Sequence, residues 1–494
     1  MTTVLRLREG VAPVKVESDM TTTVRRPAWA GQFYPEDPAE LAAVVDRCME
    51  AAPPAAVEGR VVAALSPHAG YEYSGPCAGA TYRALQGAAC DLVIVVGTHY
   101  VEEEGLFLAP YDAYRSPLGE VRVAADAARR LKTLAPGVAV SPEAHADHSV
   151  EVQLPFLQRA LKDFELLPLV ANVRGPEEAE RFGAALAEVA RGRRAVLIAS
   201  SDLSHYPPVD LARKIDPAAL AAFLTMDASY LYLADGVIRG HAAPGVLCTL
   251  CGLGACAVVA HAARLLGADA GKLLAYANSA EAGGGEGRTV GYGAAVLLRS
   301  GRPQAALAAW PALDLSKEEG AELVALARSS LEEFLRNGRR SKPRLFDQPR
   351  FNLPAAAFVT WEEGDWKEGG LRGCIGTLEA RQSLGDAVAH YAVAAATEYP
   401  GLEPIALEEL GRVRAEVTVL SPLRDIRPDD IVPGLGIHVS RGWSSGVFLP
   451  QVWEKFPNKE AFMTALCRHK AGLPADAWRK PGTKLQAFTA RCFQ

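Results

Sequence analysis

Three segments of the chain place a histidine directly after a short apolar run. They read VVAALSPH, DLVIVVGTHY and VLIASSDLSH, and they present His68, His99 with Tyr100, and His205. A neutral imidazole binds transition metals and moves protons near neutral pH. One such histidine would most often be structural, but three in a chain of ten histidines indicate a common site. These residues therefore predict metal ligation or acid–base chemistry.

Other polar residues accompany these histidines in the sequence. Ser201 and Asp202 lie just before the third one, and the segment HADHSVEVQ adds His148, Ser149 and Glu151. Ser149 has the residue type of a helix N-cap and Glu151 would occupy the first turn, a pattern that needs no function. His148 is the less easily explained member and is kept as a candidate.

The apolar runs before these histidines predict buried parallel strands. Each run is short, unbroken and ended by Pro, Gly or Ser. A helix predicted over Cys77 to Leu85 lies between the first two, which gives a strand–helix–strand unit. Open α/β sheets bind ligands just past the carboxyl ends of their strands, so the three histidines are expected at one edge.

The rest of the first half continues this alternation of helices and strands. Helices are predicted over 38–52, 124–134, 176–190 and 217–237, and strands over 166–170, 273–280 and 289–298. The glycine-rich stretch 283–287 lacks the Lys-Ser/Thr ending and following helix of a phosphate-binding loop, so no nucleotide cofactor is expected.

A second module is predicted after a linker at 300–315, which contains prolines and has no periodicity. It opens with a helix over 317–336, in which Ser316 and Glu319 form a capping box. Strands are predicted over 356–361, 371–377, 414–420, 437–440 and 445–449, and helices over 383–396, 451–455 and 459–471, with another near 408. This is an α+β arrangement with a mainly antiparallel sheet. Arg372 and Cys374 are its candidate site residues, with the glycine-flanked strand itself explained equally well by packing.

Composition limits the classes of function. The chain has 494 residues, a formal net charge of −6 and nine cysteines. The absence of a long basic run argues against nucleic acid as a partner, and no apolar stretch predicts a membrane span or a signal core. Scattered cysteines in an odd number indicate reduced thiols and a cytoplasmic protein. Residues 1–24 are predicted to be disordered or an extension.

Specific motifs resemble two known families. AWAGQFYP, SPHAGYEYSG, VVGTHY, DHSVEVQLPF, SSDLSHY and LCGLGA make residues 25–299 similar to the MEMO family. LRGCIGTLE and FLPQVWEKF make residues 316–494 similar to the AMMECR family. A fusion of the two resembles the bacterial AmmeMemoRadiSam system, whose third component is a radical-SAM protein.

The MEMO resemblance implies an α/β sandwich of the class III extradiol dioxygenase type with a nonhaem metal. By position alone Cys251 would be a buried core thiol, but the resemblance implies a metal site formed by His68, His99 and Cys251. Iron is the first expectation, with copper or zinc as alternatives. The resemblance also implies that Asp202 and His205 line the pocket and that Trp29 lies near its entrance. His205 is the predicted acid–base residue, with Asp202 orienting it and His148 as a weaker catalytic candidate. Tyr100 and Ser201 are predicted to contact the substrate together with Trp29.

Two kinds of function remain open from the sequence. The first is a metal-dependent redox enzyme, or enzyme subunit, that acts on a small organic or aromatic substrate together with a radical-SAM partner. The second is a non-catalytic binding or scaffold protein whose pocket captures an anionic or phosphotyrosine-like ligand. Cys251 stands where the dioxygenases have a carboxylate ligand, which places ordinary ring cleavage in question and leaves the choice between enzyme and binding protein open.

Overall fold

The computed structural model describes residues 23–53, 57–98, 103–241, 246–301, 313–364 and 370–494. His99, Tyr100 and most of the predicted linker therefore lie outside the described residues. Residues 1–22 lie outside them as well, while Val24 and Arg25 already pair with Ala113 and Tyr114. Among the described helices, none is both long and apolar enough to cross a membrane.

The first half contains eleven described strands. In chain order they are β1 Val24–Arg25, β2 Arg60–Ser66, β3 Leu92–Thr98, β4 Gly105–Leu108, β5 Ala113–Ser116, β6 Gly119–Arg122, β7 Val138–Val140, β8 Glu165–Asn172, β9 Ala195–Ser200, β10 Ala270–Asn278 and β11 Gly291–Arg299. Eight of them form one sheet in the order β10-β11-β2-β9-β3-β8-β4-β7.

The centre of this sheet is parallel. Strand β9 pairs in parallel with β2 on one side and with β3 on the other, and β3 pairs in parallel with β8. The strands that precede the three histidines are thus neighbours, and their carboxyl ends meet at one edge. This confirms a mixed α/β fold with a parallel-rich sheet.

Alternate residues of the central strands enter two different apolar cores. Ile94 and Val96 pack on one face of the sheet, and Val93 and Val95 pack on the other. Strands that are covered on both faces are expected to be apolar throughout, which explains their unbroken hydrophobic runs. The covering helices are α1 Pro38–Ala51, α2 Tyr71–Leu85, α3 Ala125–Leu134, α4 His148–Glu151, α5 Leu154–Ala160, α6 Pro176–Ala190, α7 Val209–Phe223, α8 Ala228–His241 and α9 Leu253–Leu265.

The second half forms two four-stranded antiparallel sheets, β13-β12-β14-β19 and β15-β18-β16-β17. Their strands are β12 Ala356–Glu362, β13 Leu371–Gly376, β14 Arg414–Leu420, β15 Arg424–Asp425, β16 Gly436–Arg441, β17 Ser444–Phe448, β18 Lys484–Phe488 and β19 Ala490–Phe493. The helices are α10 Lys317–Asn337, α11 Leu384–Thr397 and α12 Lys459–Ala465, and α12 continues as a π-helical turn over Leu466–Ala471. The predicted capping box at Ser316 and Glu319 is present.

The two halves share a continuous apolar core. Polar contacts join them as well, since the Tyr230 hydroxyl donates to the Pro354 carbonyl at 2.9 Å. The His241 imidazole pairs with Asp386 across the same boundary at 3.1 Å. The second half therefore packs directly on α8 of the first half.

Several predicted boundaries were wrong for physical reasons. The helix expected over 77–85 begins at Tyr71, and its Pro76 lies inside the second turn. The helix expected over 217–237 is two helices, because the chain turns at Met226, whose φ is +57°. Strands β18 and β19 were missed because Lys484, Gln486 and Arg491 interrupt their short apolar pattern.

Candidate functional site

His68 and Cys251 meet at the carboxyl edge of the large sheet. His68 follows β2 after Pro67, and Cys251 lies just before α9. The two side chains are buried, and His68 Nε2 lies 3.2 Å from Cys251 Sγ although 183 residues separate them. Two of the three residues assigned to the metal by resemblance are therefore in contact.

Asp202 joins the loop after β9 to both of these residues. Its Oδ1 accepts a hydrogen bond from the backbone N–H of His68 at 2.8 Å. Its own backbone N–H donates to Cys251 Sγ at 3.2 Å. Ser201 lies beside it, with Oγ 3.6 Å from the same sulfur and accepting from the Gly252 N–H. Asp202 and Ser201 thus position the histidine and the cysteine.

His205 lies near the same Asp202 carboxylate as His68. Its Nε2 lies 4.0 Å from Asp202 Oδ2, and that oxygen lies 3.9 Å from His68 Nε2. Among the described residues, His205 Nε2 is a buried nitrogen with no hydrogen-bond partner. A buried polar atom without a partner is costly in a folded protein, and a catalytic role or a bound ion is one explanation for it.

Burial decides the charge of these groups. It lowers the pKa of His68 against the opposing effect of Asp202, and it lowers the pKa of His205 in the same way. Burial also raises the pKa of Cys251 well above its ordinary value, with a further contribution from Asp202. The imidazoles are therefore neutral at pH 7 and offer lone pairs, while the thiol needs a nearby cation to ionise.

An aromatic wall borders the site. The His148 ring lies 5.2 Å from that of His68, 5.3 Å from that of Trp29 and 4.4 Å from that of Phe33, measured between centroids. Trp29 Nε1 donates to the Ala146 carbonyl at 3.1 Å, which fixes the indole. The structure thus places the His148 ring between those of His68 and Trp29.

The N-cap predicted at Ser149 was wrong. The side chain of Asp147 caps α4 and accepts from the Ser149 N–H at 2.8 Å. Ser149 Oγ instead accepts from the Thr98 N–H at 3.2 Å and donates to the Thr98 carbonyl at 3.0 Å. It therefore fixes the last residue of β3, directly before His99.

Glu151 is a residue whose importance the sequence did not reveal. It is fully buried and pairs with the guanidinium of Arg25. It also accepts from the Trp29 N–H at 2.8 Å and the Tyr34 hydroxyl at 2.6 Å. Although burial alone lowers the pKa of Arg25, the adjacent carboxylate raises it above its ordinary value. Glu151 therefore anchors the N-terminal segment that carries Trp29.

Two of the three expected donors, His68 and Cys251, have the chemistry and spacing that a metal would need. Among the described residues no group of three or more His, Cys, Asp and Glu side chains has the arrangement of a metal site, and His99 lies outside them. Tetrahedral bonds of about 2.1 Å to nitrogen and 2.3 Å to sulfur place the two donors about 3.6 Å apart. The observed 3.2 Å between His68 Nε2 and Cys251 Sγ is close to this value.

Comparison with known proteins identifies the family. Residues 25–296, more than half of the chain, match the family model described as Memo-like protein. The chain belongs to the Memo-like family. Residues 324–493 match the AMMECR1 family model, so the fusion predicted from the motifs is confirmed.

Curated relatives of the Memo-like half come from several microorganisms. A MEMO1 family protein of Nitrosopumilus maritimus is 34% identical over 278 residues, covering 55% of this chain and 98% of the relative. One from Methanothermobacter thermautotrophicus is 35% identical over 280 residues, covering 54% and 98%. A solved structure of an uncharacterized protein from Pyrococcus horikoshii is 34% identical, covers 36% of this chain and 92% of that one, and has a TM-score of 0.34.

A buried acid supports the loop of the Memo-like half that carries Asp202 and His205. Asp216 accepts from the Ser204 N–H at 3.1 Å and from the Tyr276 hydroxyl at 3.0 Å. Burial raises its pKa to about 7. Because this folded-state pKa lies above the unfolded one, the native state holds the proton more tightly. The contribution of protonated Asp216 to the free energy of unfolding is therefore present at low pH. It is lost as the pH rises toward 7.

Asp216→Asn is expected to flatten the pH dependence of stability. Between pH 4 and pH 8 the free energy of unfolding of the wild type should fall by about 4 kcal/mol relative to that of the variant. This corresponds to a shift of about three pKa units. Urea unfolding at several pH values measures this difference. Asp210→Asn, an exposed position on the same helix, is the control, and parallel curves for wild type and Asp216→Asn would contradict the assignment.

The two candidate residues of the AMMECR1 half have well-defined contacts. Arg372 pairs with both Glu363 and Glu409 at 2.9 Å. Cys374 lies opposite Thr360 in the sheet, whose hydroxyl is 3.2 Å from the sulfur. Burial raises the pKa of Cys374, which disfavours the reactive thiolate.

Cys374 is therefore expected to react slowly with thiol reagents. Under limiting iodoacetamide at pH 7, mass-spectrometric mapping should show it modified several-fold more slowly than Cys492, whose thiol pKa is also raised but whose side chain is exposed. Modification of Cys374 first would indicate an activated thiolate and would restore it as a catalytic candidate.

Proposed function

We propose that the Memo-like half is a metal-dependent redox enzyme, or the metal-bearing subunit of one, with the sandwich fold of the class III extradiol dioxygenases. The observation that carries this proposal is the contact of His68 Nε2 with Cys251 Sγ, beside the Nε2 of His205, which has no hydrogen-bond partner among the described residues. His68, Cys251 and His99 would hold the metal. Iron is proposed first, with copper or zinc as alternatives, since an imidazole and thiolate set suits all three.

The metal would supply a Lewis acid and, for iron or copper, one-electron redox capacity. His205 would accept or return a proton at Nε2, because burial keeps its imidazole neutral and no described residue occupies that nitrogen. Asp202 holds the His68 backbone and faces both imidazoles, so it orients the ligand and the base.

The aromatic wall favours a small organic substrate with an apolar or aromatic part. The His148 ring lies against His68, and Trp29 and Phe33 pack against His148 and against each other. Aromatic rings gain from stacking with another planar group. Tyr100 and Ser201 would add polar contacts, and a radical-SAM protein is the proposed partner that supplies or uses the substrate.

Metal analysis of the full chain, purified anaerobically without affinity-column metal, tests this function. A stoichiometric transition metal that a chelator removes is the expected result. Protein that stays free of metal when offered iron, copper and zinc, and that binds phosphotyrosine with a chelator present, would overturn the proposal in favour of a binding module.

A further inference from the structure

Three buried side chains form a line of hydrogen bonds from α2 to the imidazole of His68. The Tyr82 hydroxyl donates to Gln153 Oε1 at 2.7 Å. Gln153 Nε2 donates to Ser200 Oγ at 2.8 Å, and Ser200 Oγ lies 3.1 Å from His68 Nδ1. Tyr82, Gln153 and Ser200 are each buried, so water does not replace these bonds.

Two backbone carbonyls determine which atoms donate and which accept in this line of hydrogen bonds. Gln153 Nε2 also contacts the Pro67 carbonyl at 2.9 Å, and a carbonyl only accepts, so the amide nitrogen must face this side. Ser200 Oγ contacts the Ser149 carbonyl at 2.5 Å, which takes the single proton of the hydroxyl. Toward its other neighbours, Ser200 can therefore only accept.

We infer that Ser200 is a positioning residue that fixes His68 as the tautomer with the proton on Nδ1. Since Ser200 has no proton left to give, Nδ1 must donate to it. The neutral imidazole then carries its free lone pair on Nε2, the nitrogen that faces Cys251. Hydrogen bonds from the second nitrogen of a histidine commonly select the nitrogen that ligates a metal.

This inference deepens the proposed function and rests on it only for the role in metal binding. The tautomer itself is a property of the metal-free protein. Neutral histidine in water favours the tautomer with the proton on Nε2. The protein must therefore stabilise the other tautomer of His68, with the proton on Nδ1. Gln153 and the Ser149 carbonyl supply it by fixing the orientation of the Ser200 hydroxyl.

Nitrogen NMR of the metal-free full chain, labelled with ¹⁵N in its histidine rings, tests the inference. The His68 signals are assigned by their loss in His68→Gln. In the wild type at neutral pH, His68 Nδ1 should have the chemical shift of a protonated nitrogen and Nε2 that of an unprotonated one. The reverse pattern in the wild type would overturn the inference, whether or not the protein binds metal.

Ser200→Ala should shift His68 toward the Nε2-protonated tautomer, whereas Ser200→Thr, which keeps the hydroxyl, should retain the wild-type pattern. Ser74→Ala is the control, because among the described residues its buried hydroxyl donates to the Ala69 carbonyl at 2.8 Å and not to His68. Zinc titration should then show an affinity about 10 to 100 times weaker for Ser200→Ala alone. An unchanged tautomer in folded Ser200→Ala would overturn the assignment, and a changed tautomer without any zinc binding would instead count against the proposed function.

Discussion

His68→Ala should leave the chain without stoichiometric transition metal. The substitution removes the imidazole whose Nε2 lies 3.2 Å from Cys251 Sγ. Loss of partners that only orient a ligand weakens metal binding about 10- to 100-fold, and loss of the ligand itself should exceed that. The metal content of anaerobically purified protein and a competition titration with a chelator measure the effect.

His469→Ala is the matched control for this experiment. His469 is an exposed histidine on the π-helical turn after α12, in the AMMECR1 half. Its replacement should leave the metal content unchanged, which excludes loss of a chance surface site. Equal metal content in His68→Ala and wild type would show that the contact of His68 with Cys251 is purely structural.

Glu151→Gln should destabilise the protein by about 3 to 5 kcal/mol, the range expected when one member of a buried ion pair is removed. Glutamine preserves the shape but leaves the Arg25 guanidinium buried without a counter-charge. Denaturant unfolding measures the loss of free energy. Because Glu151 also accepts from the Trp29 backbone N–H, tryptophan fluorescence should change before global unfolding, and this change should be absent when Trp29 is replaced by Phe.

Glu120→Gln provides the comparison. Glu120 pairs with Arg115 at the surface, where both side chains are nearly half exposed. Exposed ion pairs contribute about 0 to 1 kcal/mol, so this variant should unfold almost like the wild type. Similar losses in the two variants would indicate that Arg25 and Glu151 contribute no more than a surface pair.

The sequence was sufficient to predict the edge of the sheet at which His68 and His205 meet. Both follow strands of continuous apolar residues, which identifies buried parallel strands, and parallel neighbours end together. Cys251 was different. Its position favoured a core thiol, and the structure shows it buried as expected, yet in contact with His68. A buried core cysteine and a metal-binding cysteine look alike in the sequence. Only the family resemblance favoured the metal-binding role for Cys251.

Contacts between distant segments could not be predicted in this way. Arg25 and Glu151 are 126 residues apart, and each has an ordinary local explanation as a charged residue in a loop or in a first helical turn. Ser149 has the residue type of an N-cap, but Asp147 takes that place because α4 already begins at His148 and the Asp147 carboxylate accepts from the Ser149 N–H. Local rules identify which residues can form a bond, and the tertiary fold decides which of them does.

Cobalt(II) titration of the metal-free full chain, wild type against Cys251→Ser, tests the central claim most directly. A sulfur ligand gives cobalt a thiolate charge-transfer absorption in the near ultraviolet, which serine does not produce. The account predicts this band in the wild type and its loss in Cys251→Ser. Identical spectra for the two proteins would show that Cys251 binds no metal and that the proposed centre does not exist.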